Sequence, residues 1–123
     1  PISMEGQSPL LAFDGTSLWM NGYEWTTVIR NVDLLGNLLS IFLPSGNPVA
    51  MTYNGKALIL GYTSTTGSDS IDVFDPATNR IAASYSFTDS EHRIAALSFD
   101  GTTVWCLDES RQAVYPLIFD PAP

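Results

Sequence analysis

The sequence has few of the side chains on which catalytic and metal sites are usually built. It contains one cysteine, Cys106, and one histidine, His92, among 123 residues. A single cysteine excludes an intramolecular disulfide. No G-x-S-x-G nucleophile elbow is present, and no second histidine is available for a catalytic constellation. The sequence therefore predicts no cofactor, no metal site and no enzyme activity.

Basic residues are also scarce. Five Lys and Arg stand against 13 Asp and Glu, so the net charge is -8. The basic residues occur singly along the chain, whereas a phosphate backbone is bound by clustered ones. We therefore expect no nucleic-acid partner. The acidity favours a soluble, crowded β surface over a site that recruits a cationic ligand.

Long apolar runs and helical periodicity are missing as well. No stretch approaches the ~18 consecutive apolar residues of a membrane span, and no segment keeps apolar residues at i, i+3, i+4 and i+7 over about ten positions. The first residues, "PISMEGQSP", have neither a basic nor an apolar region of a secretory signal. We expect no membrane partner, and a location inside a cell or in a particle assembled there.

What the sequence does contain is an internal repeat. "LAFDGTSLWM" at 11–20, "MTYNGKALIL" at 51–60 and "LSFDGTTVWC" at 97–106 align on their glycines, which lie 40 and 46 residues apart. A period of this length is typical of propeller blades and related repeat folds. Trp19 and Trp105 take the same place in their repeats and are expected to fill equivalent positions between blades.

Each repeat begins with a hairpin signal. Asp-Gly or Asn-Gly between alternating apolar residues predicts a two-residue primed turn, in which φ must be positive. Asp14 and Asp100 are therefore structural in this interpretation. The alternative, that they bind a metal, lacks the several closely spaced oxygen ligands of a calcium loop.

The remaining strands follow from alternation and turn residues. The sequence predicts an all-β chain with four antiparallel strands in each of the first two repeats. Blade 1 covers about 10–43, blade 2 about 49–87 and blade 3 about 94–119, and the whole chain forms a single domain. The third repeat has only three predicted strands before the sequence ends.

These repeats resemble the blades of NHL, YVTN and WD-repeat-like β-propeller proteins. The resemblance lies in "FDG" at 13–15 and 99–101, each followed by an apolar residue and Trp19 or Trp105, and in "VFDP" at 73–76 followed by Thr78. It implies a β-propeller fold. Such propellers include lyases, lactonases, scaffolds and structural proteins, so the resemblance implies no particular activity.

Three blades are too few for a ring, since propellers have about four to eight. Residues 1–5 occupy the place of a fourth strand, so we expect them to complete blade 3 of a neighbouring chain. Two copies head to tail then form a six-bladed homodimer. Two alternatives remain: the chain is half of a longer polypeptide, or another protein supplies the missing blades.

The predicted binding residues lie on loops expected at one end of the blades, where rigid scaffolds usually carry recognition. Aromatic rings and polar neighbours there suit a protein or carbohydrate partner. These residues are Tyr23, Glu24, Trp25, Tyr62, Glu109 and Arg111. In the competing interpretation Trp25 and Tyr62 only pack inward at strand ends.

The predicted function is a non-catalytic scaffold for binding and assembly. One alternative is a structural component of a larger particle, such as a virion or a tail. A second alternative is a lyase- or lactonase-like enzyme, in which His92, beside Glu91 and Asp89, acts as a general base. An exposed loop position is the preferred interpretation of His92.

Overall fold

The computed structural model describes residues 10–21, 28–44, 46, 48–63, 69–87 and 93–118. The described residues form short strands and contain no helix. In chain order the strands are β1 Leu11–Phe13, β2 Leu18–Met20, β3 Ile29–Val32, β4 Leu38–Phe42, β5 Ala50–Tyr53, β6 Leu58–Tyr62, β7 Ser70–Asp75, β8 Arg80–Ser86, β9 Ile94–Phe99, β10 Val104–Asp108 and β11 Ala113–Leu117. Within these ranges no helix is long and apolar enough to cross a membrane.

The strands pair into three antiparallel sheets, each in simple sequence order. Sheet I consists of β1 to β4, sheet II of β5 to β8 and sheet III of β9 to β11. The expected all-β class and antiparallel strands are confirmed. Sheet III has three strands in the part of the chain that the structure describes. The strand predicted at residues 1–5 lies outside the described residues.

The chain divides into two compact units. Pro1–Asn47 contains sheet I, and Pro48–Pro123 contains sheets II and III. Because directly opposite residues of an antiparallel pair point to the same side of a sheet, the strand registers define the two faces of each sheet. These faces decide which side chains pack and which remain available to a partner.

Sheets II and III share one apolar core. One face of sheet II contributes Ala50, Ile59, Ile71 and Val73, and one face of sheet III contributes Val104 and Cys106 with the half-buried Leu97, Phe99, Tyr115 and Leu117. Gly61 allows the close approach, since a Cβ at this position would lie 3.1 Å from Ile94 Cγ2. Sheets II and III therefore pack closely where β6 meets β9.

A buried carboxylate ties the two sheets together near this contact. Asp69, just before β7, accepts a hydrogen bond from the Ile94 backbone N–H at 2.7 Å. Its own carbonyl accepts the Phe87 N–H at 3.0 Å. One residue thus holds the start of β9 and the end of β8 close to the start of β7.

The repeated hairpin turn differs in detail from its prediction. Positive φ is present at Gly15, Gly55 and Gly101. However, the Asp14 N–H donates to the Ser17 carbonyl, so the two central residues of the turn are Gly15 and Thr16 rather than Asp14 and Gly15. Gly15, the first of these two residues, has the positive φ. The Asp or Asn is the residue before the centre.

Candidate interaction surface

The Asp at the start of the turn makes two kinds of hydrogen bond. Asp100 Oδ1 accepts the backbone N–H groups of Thr102 and Thr103, both at 2.8 Å. Asp100 Oδ2 accepts the indole N–H of Trp105 at 2.8 Å. One carboxylate therefore closes the turn and also fixes the Trp105 ring on the adjoining strand.

The same arrangement recurs in sheet I and is altered in sheet II. Asp14 Oδ2 accepts the Trp19 indole N–H at 2.9 Å. In sheet II, Asn54 Oδ1 caps the turn through Lys56 and Ala57 at 3.0 and 2.8 Å. The residue in the tryptophan position of this repeat is Ile59, which has no N–H in its side chain. Aspartate thus occurs where tryptophan must be held.

These hydrogen bonds stabilise the ionised aspartates. The bond from Trp105, followed by those from Thr103 and Thr102, holds the pKa of Asp100 well below its usual value. At Asp14 partial burial acts to raise the pKa, but hydrogen bonds from Thr16, Ser17 and Trp19 outweigh it and lower the pKa. Both carboxylates are therefore charged acceptors at neutral pH.

The two tryptophans differ in one respect, which is burial. Trp19 is 3% exposed, whereas Trp105 is 36% exposed. The two rings take the same place in their repeats, but only Trp19 is buried in the described part of the chain. That both rings fill positions between blades stays a prediction. Trp105 lies on the side of sheet III that faces away from sheet II.

That side of sheet III is an exposed apolar surface. In the register of β9, β10 and β11, Leu107 lies opposite Ala96 and Val114, and Trp105 lies opposite Ser98 and Pro116. Val114 is 60% exposed, and the others are also exposed. We call this surface the Trp105 face: Ala96, Ser98, Trp105, Leu107, Val114 and Pro116. It carries no charged residue, although the solvent-facing side of an antiparallel sheet normally carries polar side chains.

Sheet I has an exposed apolar surface of its own. Leu11 and Phe13 on β1 are 63% and 55% exposed, and Leu38 and Ile41 on β4 are about half exposed. Their register partners complete the Phe13 face: Leu11, Phe13, Leu18, Met20, Arg30, Val32, Leu38 and Ile41. Its exposed residues lie on the outer strands β1 and β4, whereas Met20 and Val32 on the inner strands β2 and β3 are buried, each 5% exposed. Arg30 is the one charged residue of this face and is half buried. The opposite side of sheet I, with Ala12, Trp19 and Asn31, is buried.

The structure places the residues predicted for binding as follows. Tyr23, Glu24 and Trp25 lie outside the described residues. Tyr62, at the end of β6, is 8% exposed, which is what the inward-packing interpretation expects. Glu109 and Arg111 are exposed on the turn between β10 and β11. A binding role for this set stays a prediction.

A buried aspartate holds the turn that carries Glu109 and Arg111. Asp108 is fully buried, and its Oδ1 accepts the backbone N–H groups of Arg93 at 3.2 Å and Ser110 at 3.0 Å. Its Oδ2 lies 3.9 Å from Arg111 Nε. The turn is therefore fixed to the start of β9, and its exposed side chains project from a rigid base.

The candidate catalytic residues give no assembled site in the described part of the chain. His92, with Glu91 and Asp89, lies outside it. Cys106 is fully buried, and burial raises the pKa of its thiol, so this cysteine is unsuited to act as a thiolate. Burial and the neighbouring Cys106 likewise raise the pKa of Tyr115. No group of three His, Cys, Asp or Glu among the described residues is placed to hold a metal ion.

A small apolar cleft opens between the ends of β8 and β11. Its volume is about 200 Å³, and its walls include Ile71, Tyr85, Phe87 and Leu117. Pockets for drug-sized ligands measure roughly 300–1,000 Å³ and present a few convergent polar groups. The cleft is smaller and mainly apolar, so the two exposed sheet faces are the stronger candidates for recognition.

No family model and no curated protein matches the chain. Among solved structures, it is similar to the crystal structure of the computationally designed Ika4 protein, with a TM-score of 0.47 and 12% sequence identity over 96% of each chain. A likeness at this level assigns neither a family nor a function.

Proposed function

We propose that this chain is a non-catalytic β-propeller scaffold whose three sheets are blades, and that it functions by binding and assembly. The proposal rests on one observation above all: the Trp105 face is broad, apolar, uncharged and exposed. Contiguous apolar patches of several hundred Å² on soluble proteins usually mark interaction sites.

The repeated turn supports the blade interpretation. Sheets I, II and III each have a glycine with positive φ after a capping Asp or Asn, between their first two strands. Sheet II is buried on both faces in β6 and β7, as an inner blade of a ring would be. Sheet III is covered on one side only, as a blade without its next neighbour would be.

Self-association is the simplest way to cover the exposed face. Two copies of a chain with three sheets supply six blades, within the range of about four to eight that closed propellers use. In this proposal residues 1–5 of one copy pair with the outer edge of β11 in the other, because among the described residues sheets I and II have four strands and sheet III has three. Pro116 offers no N–H, so the added strand forms an incomplete ladder with β11.

The mass in solution tests the proposed function. We expect light scattering at micromolar concentration to give about 27 kDa, twice the 13.4 kDa of one chain. A folded protein that remains at 13.4 kDa would contradict the assembly role. Circular dichroism on the same sample would establish that the species measured is folded.

A further inference from the structure

The way sheets II and III pack identifies which surfaces a second copy would use. The aligned glycines relate each position of one repeat to a position in the others. Ala50, Thr52, Ile59 and Gly61 share the face of sheet II that packs on sheet III. Their equivalents in sheet III are Ala96, Ser98, Trp105 and Leu107. The Trp105 face of sheet III therefore corresponds to the side of sheet II that packs against sheet III.

The side of sheet III that packs against sheet II also has an equivalent, which lies in sheet I. In sheet III the residues that pack against sheet II include Leu97, Phe99, Val104 and Cys106. Their equivalents in sheet I are Leu11, Phe13, Leu18 and Met20, all on the Phe13 face. Leucine and phenylalanine are identical in the first two positions. The Phe13 face is thus the side of a blade that receives the preceding blade.

We propose, on the basis of the proposed self-association, that the Trp105 face of one copy docks on the Phe13 face of a second copy. The occupant is a second copy because this chain contains equivalents of both surfaces that sheets II and III bury against each other, and the Trp105 face, with Leu11 and Phe13 of the Phe13 face, is exposed. The contact is head to tail, and in a closed pair of copies it occurs twice, through two identical interfaces.

The available area fits this assembly. The largest apolar patch on a typical soluble monomer measures roughly 300–600 Å². Each copy uses both of its faces in a closed pair, and two patches of that usual size together supply roughly the 800 Å² per partner that a stable interface of standard size buries. One face alone would give only about half of that area. The proposal therefore requires both interfaces at once.

One specific contact follows from the equivalence. A Cβ at Gly61 would lie 3.4 Å from Leu97 Cδ1, and the corresponding residues of the proposed interface are Leu107 and Leu11. Leucine at 107 is bulkier than glycine, so the docked sheets must lie farther apart than sheets II and III. Leu107 should meet Leu11 of the second copy across this gap.

Opposite charges at these two positions test the pairing. Leu107→Lys and Leu11→Asp each place a charge at both interfaces of the variant homodimer, and each variant alone should give a mass near that of one chain. Mixing the two variants recreates one unaltered interface and one Lys–Asp pair, so association should return. Leu35→Asp is the matched control, since Leu35 is exposed on the β3–β4 turn, outside both faces, and its mass should equal that of wild type.

Other patterns overturn the inference. If Leu107→Lys alone dissociates and Leu11→Asp does not, the Trp105 faces pair with each other. If neither variant dissociates, or if the mixture stays monomeric, the head-to-tail docking is wrong. A monomeric wild type would instead reject the proposed function, so the two failures are distinguishable. As a second measurement, Leu107→Cys and Leu11→Cys in a Cys106→Ala background should be joined by a short bismaleimide cross-linker on mixing, and neither variant should be cross-linked alone.

Discussion

Trp19 and Trp105 offer a measurement in which the chemistry is the same and the burial differs. Both indoles donate to an aspartate five residues earlier, at 2.9 and 2.8 Å. Their exposed fractions are 3% and 36%. Trp→Ala at each position removes the same ring and the same hydrogen bond. The difference between the two variants therefore reports the burial of the ring.

The magnitude follows from that difference in burial. A tryptophan side chain has roughly 200 Å² to bury, and apolar burial contributes about 25 cal/mol per Å². The difference between 36% and 3% exposure is about a third of the side chain, or roughly 65 Å² and about 1.6 kcal/mol. We expect Trp19→Ala to lower the free energy of unfolding by about 3–5 kcal/mol, and Trp105→Ala by about 1.6 kcal/mol less.

Concentration separates the isolated chain from the assembled one. Below the concentration at which light scattering shows two copies associating, denaturant unfolding followed by circular dichroism should give the gap of about 1.6 kcal/mol. At high micromolar concentration the second copy covers Trp105, so the cost of Trp105→Ala should rise and the gap should narrow. An equal cost for the two variants in dilute solution would refute the assignment of Trp105 to an uncovered face.

Three further predictions follow from other parts of the molecule. Gly61→Val should lower the free energy of unfolding by about 1–3 kcal/mol, because its Cβ would crowd Ile94. Ala82→Val, at an exposed position of β8 outside both faces, is the control, and an equal effect of both variants in denaturant unfolding would contradict the packing at Gly61. The lowered pKa of Asp14 contributes stability that is complete above its unfolded value of about 3.9 and is lost as the pH falls through the folded value. The melting temperature of wild type should therefore fall more steeply below about pH 4 than that of Asp14→Asn, and parallel curves would argue against a stabilising Asp14 carboxylate. Deletion of residues 1–5 should weaken association in light scattering while the circular dichroism spectrum is kept, and an unchanged mass at all concentrations would contradict a role for that segment in assembly.

The strands could be predicted because local signals agree with one another in this sequence. Apolar alternation, β-branched residues and Asp-Gly or Asn-Gly pairs recur at similar spacing. Asp75 and Pro76 are also turn residues, and a turn lies there between β7 and β8, with Ala77 N–H donating to Asp75 Oδ1 and positive φ at Asn79. The turn after β1 was displaced by one residue, because the capping carboxylate of Asp14 takes the Thr16 and Ser17 N–H groups.

The exposed face of sheet III could not be predicted from the same signals. "VWCLD" at 104–108 is apolar on both sides of the strand, so alternation alone predicts burial of Trp105 and Leu107 as well as Val104 and Cys106. Which side is covered depends on the neighbouring sheets, and a pattern of period two contains no information about them. The available signal for an interaction surface was a strand, β10, that is apolar on both sides in the third repeat.

Two positions of the repeat vary together: the residue before the turn glycine and the residue in the tryptophan position. Asp occurs with Trp in the first and third repeats, and Asn occurs with Ile in the second. The turn needs only one side-chain oxygen, which Asn54 supplies, whereas an indole N–H needs a second one, which the carboxylates of Asp14 and Asp100 supply. Loss of the hydrogen bond that holds a tryptophan ring in place is costly where the ring is buried, as at Trp19. At Trp105 the same device fixes a ring that the single chain leaves partly in solvent. A fixed aromatic ring loses little conformational entropy on binding, which is the property expected of the central residue of a docking face.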